Sequence, residues 1–85
     1  MKKFSYKITD PIGLHARPAG LFVRAASAYQ STVSICKGDK SADAKKIFAV
    51  MGLAVKCDEE VTITLDGPDE DIAAKELLAF MAENF

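Results

Sequence analysis

Three short stretches of this chain carry apolar residues at every second position, and that period of two limits the fold more than any other feature. In residues 3–9, Phe4, Tyr6 and Ile8 share one face, and Lys3, Ser5 and Lys7 share the other. Val33 and Ile35 share a face in residues 31–37; Val61, Ile63 and Leu65 alternate with Thr62 and Thr64 in residues 59–67. Each stretch reads as a strand with one buried and one solvated side. Lys37-Gly38-Asp39-Lys40 reads as a tight hairpin with Gly38-Asp39 at its centre. Residues 40–44 then form a short return strand, polar enough to lie at an edge. Strands with one apolar face call for a single antiparallel sheet, with helices covering that face.

The remaining segments have a helical period. From Ala16 to about Tyr29, the residues Ala19, Phe22, Val23 and Ala26 fall on one stripe, with Gly20, Leu21 and Arg24 beside or opposite it. Residues 46–55 form a short apolar helix of about two turns. In the last segment, Asp69 is a natural N-cap and Glu70 and Asp71 occupy the first turn, where the helix dipole favours acids. Ala74, Leu77, Leu78, Met81 and Phe85 then repeat as a buried stripe. The predicted order is βαββαβα, an α+β chain. With 85 residues it is long enough for one domain, residues 1–85, and too short for two.

Charge narrows the function. Residues 1–57 carry ten Lys and Arg against three Asp, whereas residues 58–85 carry one Lys against nine acids. An anionic ligand or partner therefore suits the first part. A nucleic-acid groove does not, because no aromatic platform is interleaved with the modest positive charge. No apolar run approaches the roughly 20 residues that span a bilayer, and the first ten residues lack the apolar core of a secretory signal, so a cytoplasmic location is expected. Cys36 and Cys57 are far apart in sequence, which disfavours a disulfide framework or a metal site. No cofactor is implied.

The sole histidine, His15, stands where loop becomes helix, in Gly13-Leu14-His15-Ala16-Arg17-Pro18. Pro18 would be the third helical residue, within the turn whose N–H groups have no intrahelical partner. The proline thus sets His15 at or near the N-cap. Gly13 permits a backbone bend before it. The amides of Ala16 and Arg17 would be free donors at a helix N-terminus, and the Arg17 guanidinium suits phosphate oxygens. Two readings follow from the residues alone: a histidine that is merely structural, or a nucleophilic imidazole that accepts a phosphoryl group without a metal. A hydrolase lacks a readable orienting partner for the imidazole.

Residues 13–20, Gly-Leu-His-Ala-Arg-Pro-Ala-Gly, resemble the active-site motif of the HPr family, the histidine-containing phosphocarriers of the bacterial phosphoenolpyruvate:sugar phosphotransferase system. The likeness extends through Gly38–Phe48 and residues 59–70 to the whole chain. It implies an open-faced β-sandwich, a four-stranded antiparallel sheet with three helices on one face. It also implies that His15 accepts the phosphoryl group through Nδ1 from phosphorylated enzyme I and passes it to IIA proteins for sugar uptake. Arg17 and the amides of Ala16 and Arg17 would then hold the phosphate. The alternative is a regulatory docking module of the same fold that relays nothing.

The second helix is too apolar to bury every side against one sheet. A docking surface of Leu21, Ile47, Phe48 and Met51 is therefore expected near His15, while Val50 and Leu53 point to the sheet. Gly20 would permit close approach, and Arg24, Lys45 and Lys46 would form a basic rim for acidic partners. Many relatives of the family carry a regulatory serine just before this helix; here that residue is Lys46, which has no hydroxyl to phosphorylate. Ser41, the nearest serine, lies in the predicted edge strand. Nothing in the sequence suggests more than a monomer.

Overall fold

A computed structural model describes residues 1–11, 13 and 16–85, with Ala16 described by its backbone. The elements are β1 (Lys2–Lys7), α1 (Ala16–Ser27), β2 (Thr32–Lys37), β3 (Lys40–Asp43), α2 (Ile47–Met51), β4 (Glu60–Asp66) and α3 (Glu70–Asn84). The strands form one antiparallel sheet in the order β1-β4-β2-β3. The last strand in sequence is thus central, and the polar return strand β3 is an edge as expected.

Register explains why the sheet has two unlike faces. Phe4, Ile63, Ile35 and Ala42 stand opposite one another across all four strands, and the neighbouring row is Ser5, Thr62, Cys36 and Ser41. The first row faces the helices, where Ile35 and Ile63 are fully buried. The second forms an open face, with the Ser5 and Thr62 hydroxyls 3.1 Å apart. Cross-strand pairing of like with like lets one layer of helices complete the core. Ile8, expected at the end of β1, lies one residue beyond it and is nonetheless fully buried.

Helix α1 ends at Ser27, two residues earlier than its periodicity suggests, and buries Ala19, Phe22 and Ala26 completely. In α3 the stripe is shifted. Ala73, Leu77, Met81 and the following Phe85 are buried, Ala74 is half-buried, and Leu78 is 42% exposed. Residues 73, 77 and 81 define the line that meets the sheet, and Leu78 is a further 100° around the axis. Helix α2 has only five residues, not two turns.

Asp69 occupies the N-cap position of α3 without capping it through its side chain. Its carboxylate instead accepts from the Gln30 amide at 2.8 Å, the Ser31 amide at 2.9 Å and the Ser31 hydroxyl. These donors hold its pKa below the usual carboxylate value, the Ser31 hydroxyl contributing most. Gly67 lies against the same junction, where a Cβ would come 2.6 Å from Ser31 Cα. Glu70 serves the helix start: it accepts from the Gly67 amide at 3.3 Å and pairs with the Met1 ammonium at 2.7 Å.

Candidate functional site

The sheet end where β1 leaves and β4 enters also receives the first turn of α1. Ala16, Arg17 and Pro18 are the first three helical residues, so Pro18 takes the predicted place and its missing N–H breaks no helical bond. Pro18 is buried and Arg17 exposed. His15, with its expected N-cap position, lies outside the described residues, as do Ile12 and Leu14. Gly13 makes the expected bend, with φ +80° and its amide donating to the Asp10 carbonyl at 2.8 Å. A Cβ here would lie 2.5 Å from the Val55 carbonyl oxygen and 2.8 Å from Lys56 Cα. Glycine is required for both the left-handed backbone and the close approach.

Beside this turn Leu21 and Ile47, two residues of the expected apolar surface, line one hollow. Leu21 is 42%, Phe48 85% and Met51 37% exposed, whereas Val50 and Leu53 are buried in the core. A hollow of about 580 Å³ runs between α1 and α2, lined by Arg17, Gly20, Leu21, Val23, Arg24 and Ile47. A Cβ on Gly20 would reach ordinary contact with Ile47 Cδ1, at 3.4 Å, so the bare backbone leaves this cleft open. The three residues of the expected basic rim have different surroundings. Lys45 turns its ammonium to the Tyr29 carbonyl at 2.7 Å, where it serves the turn after α1. Lys46 sits at the α2 N-cap without a side-chain bond. Arg24 alone of the three lines the hollow.

A second hollow, about 310 Å³, lies on the other side of Arg17 and Leu21, lined also by Asp10, Pro18 and Asn84. The end of α3 reaches it through Asn84, and next to that residue the Thr9 amide donates to the Phe85 carbonyl at 2.7 Å. Sequence reasoning missed Asp10 and Asn84 because no periodicity signals that α3 ends beside the start of α1. Cys36 and Cys57 are free thiols. Among the described residues, no group of three or more His, Cys, Asp or Glu is placed to hold a metal ion, and no helix is long and apolar enough to cross a membrane.

Comparison with known proteins decides the family. A family profile described as the PTS HPr component phosphorylation site matches residues 2–83. The chain belongs to the HPr family. It is 41% identical over 83 residues to the phosphocarrier protein HPr of Mycoplasma capricolum, covering 98% of this chain and 93% of that protein. The HPr of Lysinibacillus sphaericus is 37% identical, with 98% and 94% covered. A crystal structure of HPr from Thermoanaerobacter tengcongensis superposes with a TM-score of 0.94 at 38% identity, covering 100% of this chain and 96% of that one. The open-faced sandwich is thus the HPr fold. As a member of this family, the chain is a phosphocarrier of the phosphotransferase system and not a catalytic enzyme.

Proposed function

We propose that residues 1–85 act as one cytoplasmic domain that takes a phosphoryl group from phosphorylated enzyme I on His15 and gives it to IIA proteins. The observation that carries this reading is the profile match. It is described as a phosphorylation site and spans the chain's sole histidine, directly before the first helical residue. In the forward step His15 Nδ1 attacks phosphorus, the bond to the donor breaks, and the electron pair leaves with enzyme I. The amides of Ala16 and Arg17 and the Arg17 guanidinium would hold the transferring oxygens, with no metal needed. The second step repeats this with a IIA nucleophile.

Leu21, Ile47, Phe48 and Met51 would form the docking face, with Gly20 and the hollow beside it admitting a partner side chain. Arg24 would be its charged edge, with Lys46, and Lys45 from its place on the Tyr29 carbonyl, completing the basic rim. The monomer suffices for this. With Lys46 before α2, no serine switch operates at that position. A docking module that relays nothing has no need of an accessible imidazole, so His15-Ala16-Arg17 favours the relay.

The test is to load the protein with phosphoenolpyruvate and enzyme I, remove enzyme I, and add a IIA protein. We expect the phosphoryl group to move to IIA, and to move about tenfold more slowly from Phe48→Ala, as loss of an exposed apolar anchor implies. Phosphate that stays on the carrier would instead support the docking-module reading.

A further inference from the structure

Between α2 and β4 the chain runs through a loop, residues 53–59, whose local hydrogen bonds join the Ala54 amide to the Met51 carbonyl and the Glu59 amide to the Lys56 carbonyl, each at 3.1 Å. Ala54 has φ 53°, a left-handed value that a residue with a Cβ disfavours, and Asp58 has φ 72°, which aspartate tolerates better. The loop is also held from outside. The Lys37 ammonium, at the end of β2, donates to the Leu53 carbonyl at 3.3 Å and the Ala54 carbonyl at 3.0 Å. It also pairs with Glu59 Oε1 at 3.1 Å, and the same oxygen accepts from the Lys56 amide at 2.7 Å. One lysine and one glutamate therefore close both ends of the loop. The Lys37 side chain is 24% and the Glu59 side chain 37% exposed, so the pair is only partly shielded from solvent.

The other side of this loop faces the segment that leads to His15. The Asp58 amide donates to the Ile8 carbonyl at 2.6 Å, and the Ile8 amide donates to the Glu59 carbonyl at 2.9 Å. Gly13 is seated on the backbone of Val55 and Lys56, too close for any Cβ. We infer that Lys37 and Glu59 are positioning residues for phosphoryl acceptance: they clamp the 53–59 loop as the seat of Gly13, and so fix the turn two residues before His15. The inference rests on the reading of His15 as the acceptor. A displaced seat would tilt the turn and misalign the nucleophile, and small misplacements of reacting groups cost large factors in rate.

The test uses the full chain and the variants Lys37→Met, Lys37→Arg and Glu59→Gln. It reads three quantities well below the melting temperature: the rate of phosphorylation by enzyme I, the KM for the carrier, and hydrogen exchange at the Gly13 amide. Lys37→Met should lower kcat about five- to tenfold with KM unchanged, and should speed Gly13 exchange. Glu59→Gln should do the same, the double variant should add little, and Lys37→Arg should restore most of the rate. If the parent is phosphorylated while all variants keep its kcat and its Gly13 exchange, the clamp has no positioning role and the inference is overturned. A lowered melting temperature with unchanged kcat would also overturn it, because the clamp would then serve stability alone. A parent that active enzyme I fails to phosphorylate would overturn the acceptor reading itself, and this inference with it.

Discussion

Helices α2 and α3 cover the same sheet, yet they follow opposite rules. Helix α3 has fifteen residues, begins with Glu70 and Asp71 at its positive end, and buries Ala73, Leu77 and Met81. Helix α2 has five residues, follows a lysine that caps nothing, and buries only Val50. Its Phe48 is 85% exposed. A helix so short is not stable by itself; α2 persists because Val50 and the following Leu53 anchor it in the core. The contrast separates residues that hold the fold from residues it displays. Helix α3 spends its apolar stripe on the core, and α2 keeps part of its own on the surface beside Arg17.

The sharpest way to break this contrast is truncation in each helix. Leu77→Ala in α3 should cost about 2–5 kcal/mol of unfolding free energy, the range for a buried leucine. Phe48→Ala in α2 should change stability by less than about 0.5 kcal/mol, as for surface substitutions, while slowing phosphoryl transfer. Urea unfolding of both variants measures the first difference. Equal costs would mean that α2 is as structural as α3.

Acid should separate the helices next. The Glu70 carboxyl is held below its ordinary value, mainly by the Met1 ammonium and then by the Gly67 amide, and Asp69 is held low by Ser31. Depressed carboxylates stabilise the fold above their unfolded values, near pH 4, and that contribution is lost as pH falls through the lowered native values. The start of α3 should therefore loosen below about pH 4, and Asp69→Asn should reduce the acid dependence. Amide exchange near residues 69–73 followed from pH 5 to pH 2 checks this. No carboxylate lies in the first turn of α2, so its start should show no matching loss.

The smallest effect is at the α2 cap. Lys46→Ser would supply a side-chain acceptor and remove a cation from the positive end of the helix. It should stabilise the protein by about 0.5–1 kcal/mol. Thermal unfolding reads it, and an unchanged or lowered melting temperature would show that the helix start is set by packing alone.

The same contrast explains how far sequence could be read. Strand faces were legible because a period of two leaves Val61, Ile63 and Leu65 no choice once one face is buried. The α1 stripe, the Gly38-Asp39 turn, the Gly13 bend and the exposed side of α2 were legible for similarly local reasons. Leu78 was misplaced because a helix with several apolar residues leaves its rotation to tertiary contact. Asp69 fits the N-cap pattern, but its carboxylate is claimed by Gln30 and Ser31, some 38 residues away in sequence. Lys45 was likewise claimed by Tyr29. The 53–59 loop was opaque because Ala54 carries no signal of left-handed backbone, and a single aspartate at 58, though it tolerates that region, does not fix the path. The second hollow joins both ends of the chain, which no local pattern encodes.

The most direct test of the phosphocarrier account is the intact mass of the protein after incubation with phosphoenolpyruvate and enzyme I, for the parent and for His15→Ala. The account predicts one added phosphoryl group on the parent, lost in acid and stable in base, and none on the variant. A variant phosphorylated as fully as the parent, or a parent left unmodified by active enzyme I, would contradict it.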